Sequence, residues 1–238
     1  MPVRSHGQTQ TTVNLPLPGR RSTNQGYRTC KQGTRALNVT SGLSHTCVLL
    51  DSGSRCFGSV NADGQLGRDD LNPALDASMA ADIDYAMPGE IARDAIAVSA
   101  GDYFNCAILS PDRAVKCWGQ GGKQQLGTDS SANLLSPSRI AALPLAAQSI
   151  SSGAEHVCIV EYPGRKLRCW GANAEGQCGV GTTDPSVAWQ DGNVQIDSED
   201  TEITKVSAGY QHTCALKASR QIRCFGDNFD GQLGTGLT

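Results

Sequence analysis

The chain has 238 residues, of which 39% are hydrophobic, 18% are charged and 27 are glycines, a profile that suits short strands joined by many glycine turns. Its net charge of −3 indicates no particular class of partner. No stretch approaches the roughly 20 consecutive apolar residues of a membrane helix, so we expect no membrane contact.

The first 35 residues differ in composition from the rest of the chain. Residues 1–50 contain no acidic residue and six basic ones, namely Arg4, Arg20, Arg21, Arg28, Lys31 and Arg35. An acid-free basic start is typical of an organelle transit peptide, but the dispersed charges favour a solvated tail. Residues 13–30 resemble the approach to the repeat described next, so we interpret residues 1–35 as a basic segment with a degenerate partial repeat.

From residue 36 onward the chain repeats one pattern four times. The copies read GLSHTC…RCFGSVNADGQLG from Gly42, GDYFNC…KCWGQGGKQQLG from Gly101, GAEHVC…RCWGANAEGQCG from Gly153 and GYQHTC…RCFGDNFDGQLG from Gly209. Their first glycines lie 59, 52 and 56 residues apart, and a period near 50 predicts a repeat architecture in which each copy is one supersecondary unit. We place the copies at about residues 36–94, 95–147, 148–202 and 203–238.

Each copy is predicted to form short antiparallel strands. In the second copy, residues 96–100, 106–109 and 114–118 are β-rich runs separated by turn residues, and the last two runs form a hairpin. A fourth strand is expected after the Gly-Gln-Leu-Gly element, for example around residues 141–144. Four such strands per unit are typical of a β-propeller blade, and no amphipathic helix is evident.

The pattern Gly-x-x-His-Thr-Cys, hairpin, Cys-Trp/Phe-Gly, Gly-Gln-Leu-Gly resembles the repeat of the regulator of chromosome condensation family, which also occurs in alpha-tubulin-suppressor-like proteins. The resemblance implies an all-β propeller that typically has seven blades. About four blades and a degenerate N-terminal one are recognisable here. We therefore expect an incomplete ring and hypothesise that the chain is a fragment or lacks an internal segment. The copies depart from the pattern at Phe104, Gln124 and Cys178, which replace His, Gly and Leu.

Eight of the ten cysteines form matched pairs across the predicted hairpins. The pairs are Cys47 with Cys56, Cys106 with Cys117, Cys158 with Cys169 and Cys214 with Cys224. Their separations are 9, 11, 11 and 10 residues. An odd separation with a two-residue turn places both members opposite one another, within disulfide range, and the separation of 10 requires an odd-length loop or a bulge. We favour one disulfide per copy, with buried reduced thiols as the alternative. Cys30 and Cys178 have no evident partner and are candidates for a free thiol or an intermolecular bond.

Three histidines invite a zinc interpretation. His45, His156 and His212 each precede a cysteine by two residues, so each of these blades offers a histidine and two cysteines on one sheet face. However, the second copy has Phe104 at this position, and no Cys-x-x-Cys motif is present. We therefore predict structural histidines that are hydrogen-bonded within their own blade, with no catalytic constellation, metal or cofactor.

Two acidic segments stand out between the repeats. They contain Asp69, Asp70, Asp76, Asp82, Asp84 and Glu90 after the first copy, and Asp191, Asp197, Glu199, Asp200 and Glu202 after the third. Both follow a Gly-Gln-Leu-Gly element, so we expect them at equivalent places on neighbouring blades. They are either candidate partner-binding loops for a basic protein or ordinary solvated loops, and neither matches a calcium loop.

We hypothesise a non-enzymatic scaffold that binds a protein partner of unknown identity through its propeller loops. The family resemblance implies a second function, guanine nucleotide exchange on a small GTPase, although no exchange-factor residue can be matched here. The paired cysteines suggest a third, a disulfide-stapled extracellular recognition module, whereas the absence of a signal peptide points to the cytoplasm. Nucleic acid is not an expected partner, because the repeats form no basic patch.

Overall fold

The computed structural model describes residues 35–74, 82–85, 94–128, 130–137, 143–194, 196 and 202–236. The predicted degenerate repeat in the N-terminal segment lies outside these residues, apart from Arg35. Within the described residues the fold is all-β, and helical structure is confined to short 3-10 turns such as Trp189–Asp191. None of these residues forms a helix long and apolar enough to cross a membrane.

The described residues form thirteen strands, which fall into four groups that match the four sequence copies. They are β1 (Ala36–Ser41), β2 (His45–Leu50), β3 (Gly53–Gly58), β4 (Ala95–Ala100), β5 (Phe104–Leu109), β6 (Ala114–Gly119), β7 (Leu143–Ser152), β8 (His156–Glu161), β9 (Leu167–Ala172), β10 (Ser186–Val187), β11 (Ile203–Ala208), β12 (His212–Lys217) and β13 (Ile222–Gly226). Each group is an antiparallel meander, so the predicted hairpins are present as β2–β3, β5–β6, β8–β9 and β12–β13.

In the second and third blades, which have a neighbour on each side, the middle strand is buried on both faces. All six residues of β5 are buried, as are five of the six in β8, because a neighbouring blade packs against each side of the sheet. The alternation of buried and exposed residues that marks a one-sided sheet is therefore lost. Continuous apolar runs such as Cys106–Leu109 are the sequence trace of this burial.

The fourth strand takes different forms in different blades. In the first blade it is reduced to isolated bridges, Gly58 with Ala74 and Arg55 with Asp82. In the second blade it is the beginning of β7, which pairs with β6 up to Ala146 and then, from Ala147, serves as the first strand of the third blade. One continuous strand thus belongs to two blades, which joins seven strands into a single sheet.

The core of the described residues consists of three hydrophobic clusters between successive blades and a small fourth one, Val48 and Leu50, within the first blade. The cluster between the first and second blades contains Cys47, Leu49 and Trp118, together with Tyr85 from the variable segment. Tyr85 packs edge-on against Trp118, with ring centroids 5.7 Å apart, and its hydroxyl bonds to Ser54. Because the three main clusters lie between blades rather than within them, each blade depends on its neighbours for stability.

Candidate functional site

The two ends of the blades carry different loops. In each copy the loop after the first strand and the Gly-Gln-Leu-Gly turn lie at the same end of the blade. In the second, third and fourth copies a backbone bond joins this loop to the end of the third strand or the residue after it, such as Ala172 N–H to the Glu155 carbonyl at 2.9 Å. We call this end the loop face. It comprises residues 42–44, 59–70, 101–103, 120–128, 153–155, 173–184, 209–211 and 227–236. The opposite end, the hairpin-turn face, comprises residues 35, 51–52, 94, 110–113, 161–166, 202 and 217–221.

The Gly-Gln-Leu-Gly turn is closed by its own side chains. In the first copy, Gln65 Oε1 accepts the backbone N–H of Asp63 at 3.2 Å, and Asn61 Oδ1 accepts that of Leu66 at 2.9 Å. Equivalent bonds close the turns of the third and fourth copies. The turn is therefore rigid, and it presents the residue before its glycine in the same way in each of these copies.

The backbone carbonyl of the glutamine in this turn also connects successive blades. It accepts the indole N–H of the next blade, from Trp118 to Gln65 at 3.2 Å and from Trp170 to Gln125 at 3.0 Å. In the first interface the same Gln65 carbonyl accepts Asn105 Nδ2 at 2.7 Å. The turn thus positions the next blade in addition to forming its own loop.

Two of the three predicted structural histidines bond to the next blade. His45 Nε2 lies 3.0 Å from Asn105 Oδ1, and His156 Nε2 lies 2.8 Å from Thr213 Oγ1. The prediction of a partner within the same blade was wrong, because the histidine lies on the sheet face that packs against the following blade. The bridging side chain is held between this histidine and the glutamine carbonyl of the preceding blade.

The hydrogen bonds fix the tautomer of His156. The Thr213 hydroxyl donates its one proton to the Gln177 carbonyl at 2.9 Å, so it accepts from His156 Nε2. His156 Nδ1 is buried and has no partner among the described residues. Protonation would bury an unpaired charge. Burial, with a smaller contribution from the charge on His212, therefore lowers the pKa of His156 to about 4.

The interface between the second and third blades has apolar side chains at the two positions of this hydrogen-bonded pair. Phe104 replaces the histidine, and the bridging position in the third blade is Val157 instead of asparagine or threonine. Both side chains are fully buried in the cluster between these blades. The exchange of a polar pair for an apolar pair is the internal signal from which this cross-blade contact was predictable, and the sequence reasoning missed it.

The eight predicted cysteines lie in the register expected from their spacing. Each pair is directly opposed in its hairpin, with Cα atoms 4.0 to 4.1 Å apart, and the sulfurs are at bonding distance. The opposed pairs are Cys47 and Cys56 in the first blade, Cys106 and Cys117 in the second, Cys158 and Cys169 in the third, and Cys214 and Cys224 in the fourth.

These cysteines are part of the frame of the blades. Cys56 and Cys169 are fully buried in the clusters between blades, and Cys224 lies half-buried in the last strand, β13. The four pairs therefore have a structural place inside their hairpins. The oxidised state of the four pairs stays a prediction, and its test is given in the Discussion.

Of the two cysteines without a predicted partner, the structure describes one. Cys178 is a buried free thiol, and burial raises its pKa to about 12, so it is protonated and unreactive at neutral pH. Its burial in the cluster between the third and fourth blades leaves no access for the intermolecular bond that the sequence left open. Cys30 lies outside the described residues.

The structure separates the acidic residues that the sequence grouped together. Asp69 and Asp70 lie on the loop face, whereas Asp82 pairs with Arg55 at 2.7 Å and Glu202 pairs with Arg165 at 3.5 Å towards the other end. Asp84 is exposed, and Asp191 ends the 3-10 helix. The expectation of neighbouring blades was wrong, because the second blade lies between the two that carry these segments. Outside the described residues lie Asp76, Glu90, Asp197, Glu199 and Asp200.

A cavity of about 310 Å³ opens at the centre of the loop face. It is lined by one triplet from each copy, namely Ser41-Gly42-Leu43, Ala100-Gly101-Asp102, Ser152-Gly153-Ala154 and Ala208-Gly209-Tyr210. The third residues are joined by backbone bonds from N–H to carbonyl, from Leu43 to Asp102 at 3.1 Å, from Asp102 to Ala154 at 3.0 Å and from Ala154 to Tyr210 at 3.1 Å. The glycines recur in every copy, whereas the residue after them differs in each.

Among the described residues, no group of three or more His, Cys, Asp or Glu side chains is arranged to hold a metal ion. The histidine and cysteine positions that suggested zinc are committed to the cross-blade bonds and the cysteine pairs described above. The remaining chemical character of the molecule therefore lies in its two faces and the central cavity.

Comparisons with known proteins agree with this architecture. Two sequence profiles of the Regulator of chromosome condensation (RCC1) repeat match, one over residues 95–125 and 203–232, the other over residues 115–160 and 169–216. The Ultraviolet-B receptor UVR8 of Arabidopsis thaliana is 29% identical over 203 residues, which cover 85% of this chain and 44% of the receptor.

Two solved structures share the fold. Human WBSCR16 matches with a TM-score of 0.68 and 20% identity, covering 92% of this chain and 56% of that one. Prp20p from Saccharomyces cerevisiae matches with a TM-score of 0.65 and 18% identity, covering 82% of this chain and 44% of that one. The predicted propeller fold is confirmed, and the chain spans about half the length of these relatives.

Proposed function

Because this chain belongs to the regulator of chromosome condensation repeat family, we propose that it is a non-enzymatic scaffold whose loop face binds a basic segment of a partner protein. The observation that carries the proposal is the unequal charge of the two faces. Prp20p, which has the same fold, binds Gsp1p and histones, and this is a precedent for protein recognition by the fold.

The loop face is strongly acidic. Its described residues include two basic and nine acidic side chains, which gives a formal charge of −7. The acidic residues are Asp63, Asp69, Asp70, Asp102, Glu155, Glu175, Asp184, Asp227 and Asp230. The hairpin-turn face is nearly balanced, with six basic and five acidic residues. An acidic face attracts a basic segment and repels the phosphates of nucleic acid.

Apolar side chains project from the same face. Leu43 is 64% exposed, Tyr210 is 66% exposed and Phe229 is 83% exposed. Aromatic residues are enriched at protein interfaces, because they bury a large area at a small cost in conformational entropy. Phe229 lies in the turn of the fourth copy next to Asp230, so an aromatic and an acidic side chain are adjacent there.

The experiment compares charge removal on the two faces. The probe is a fluorescein-labelled peptide with four Lys-Ala-Ala repeats, and binding is followed by fluorescence anisotropy at low and moderate salt. The loop-face variant carries Glu175→Gln, Asp184→Asn and Asp230→Asn, which are all exposed residues. The matched control carries the substitutions Asp51→Asn, Asp94→Asn and Asp112→Asn on the hairpin-turn face.

We expect the loop-face variant to bind about tenfold more weakly, since each exposed charge contributes roughly 0.2–1 kcal/mol. The control is expected to change affinity less than twofold. Equal losses in the two variants would show attraction to the protein as a whole and would overturn the proposal.

The exchange-factor alternative is tested separately. A nucleotide-release assay with a panel of small GTPases carrying a fluorescent nucleotide measures exchange directly. Acceleration of release by this protein would replace the scaffold proposal with an exchange function. The third alternative, an extracellular recognition module, is a binding scaffold as well. It requires that the paired cysteines form disulfides.

A further inference from the structure

The central cavity of the loop face contains one carboxylate that the fold leaves without a partner. Asp102 is half-buried at the cavity wall, and its side chain makes no hydrogen bond or ion pair in the described part of the chain. Its backbone is fixed on both sides by the bonds to Leu43 and Ala154. Burial raises the pKa of Asp102, which means that the ionised form lacks stabilising partners.

The neighbours of Asp102 around the cavity are complementary to a flat cation. The backbone bonds from Asp102 to Ala154 and from Ala154 to Tyr210 place Ala154 between the other two residues along the cavity wall. The side chain of Ala154 is a single methyl group, so it fills little of the space along the wall between Asp102 and Tyr210. A guanidinium ion pairs with a carboxylate through two parallel N–H groups and stacks on an aromatic face.

We propose that the central cavity binds an arginine side chain of the partner protein, with Asp102 as the anion and Tyr210 as the stacking surface. The cavity volume of about 310 Å³ is at the lower end of the range of ligand sites, which suits one side chain rather than a cofactor. The inference rests on the proposed binding of a basic segment and specifies which side chain of that segment the cavity recognises. The variable residue after each recurring glycine is then the specificity position.

The probe is N-acetyl-arginine N-methylamide, and its uncharged isostere is the citrulline analogue. Protein labelled with ¹³C at the alanine methyl groups reports binding directly, because Ala100, Ala154 and Ala208 line the cavity. We expect saturable shifts of these three methyl signals with the arginine probe, a millimolar dissociation constant and no shift with citrulline.

The matched variants are Asp102→Asn and Asp94→Asn, which remove the same charge inside the cavity and on the hairpin-turn face. Asp102→Asn is expected to weaken the arginine probe at least fivefold, and Asp94→Asn less than twofold. Unchanged alanine signals away from the cavity confirm that both variants are folded.

Three results would overturn the inference: equal binding of citrulline, an unchanged affinity in Asp102→Asn, or shifts spread over alanines outside the cavity. If the arginine probe fails in these ways while the lysine peptide still distinguishes the two faces, the cavity site is wrong and the proposed scaffold function stands. If the lysine peptide shows no preference for the loop face, the proposed function itself fails.

Discussion

The substitution His156→Phe tests whether the cross-blade histidine controls the response of the fold to pH. In the folded protein the pKa of His156 is about 4, against 6.5 for an exposed histidine. As the pH falls from 6.5 towards 4, the unfolded chain binds a proton that the folded chain does not, so stability decreases. At about 1.4 kcal/mol per pKa unit, the full loss is about 3 kcal/mol.

The fold already contains this substitution, because Phe104 occupies the same position in the second blade. At pH 7, His156→Phe is expected to cost about 1 kcal/mol for the lost bond to Thr213, which keeps its bond to the Gln177 carbonyl. Between pH 7 and pH 4 the variant is expected to lose about 3 kcal/mol less stability than the parent, which is the linkage contribution of the missing imidazole.

Urea unfolding followed by tryptophan fluorescence at several pH values measures both quantities. His212→Phe is the matched control. His212 occupies the equivalent place in the fourth blade, is half-buried, and influences His156 only as the smaller cause of its lowered pKa. The control therefore keeps most of the pH dependence. An identical pH dependence in His156→Phe and the parent protein would refute the reasoning.

Three further predictions concern the frame of the blades. Gly153→Ala is expected to destabilise the protein by about 1–3 kcal/mol, since the new methyl group would overlap the ring of His156, whereas Gly164→Ala meets no atom and is expected to be neutral in thermal unfolding. Trp170→Phe is expected to cost about 2–3 kcal/mol in thermal unfolding, because the indole bond is lost and the smaller ring leaves a cavity in the buried cluster. Mass spectrometry after alkylation of the unfolded but unreduced protein is expected to find Cys178 labelled and the four opposed cysteine pairs unlabelled, because a disulfide resists alkylation whereas a buried thiol becomes accessible on unfolding. Reduction of each disulfide is expected to cost about 3 kcal/mol. Labelling of the paired cysteines without prior reduction would contradict this.

The features that were predictable from sequence are local in the chain. The opposition of Cys106 and Cys117 follows from their spacing and from the two-residue period of antiparallel strands, and the structure has that register. The strand β7, in contrast, was expected as the fourth strand of one blade, yet it continues as the first strand of the next. Hydrogen bonding to two different neighbours along one strand depends on where the blades lie, which spacing does not encode.

The candidate site shows the same division. The sequence identified acidic segments but grouped residues such as Asp82 and Glu202 that the structure places in ion pairs away from the loop face. The acidic face contains Asp69 and Asp70 of the first segment, but most of its acids are single residues from every copy, including Glu155 and Asp230, which are separated by 75 positions. A face built in this way is invisible to a linear scan for charge runs.

The sequence by itself determined the repeat, the hairpins, the cysteine register and the family, because each depends on contacts within one copy of about 50 residues. Only the tertiary structure decided how the acids divide between the two faces, and that Asp102, Ala154 and Tyr210 meet around one cavity. These properties arise from contacts between copies. Such contacts are set by the packing of whole blades side by side, and the chain order within any one copy contains no record of that geometry.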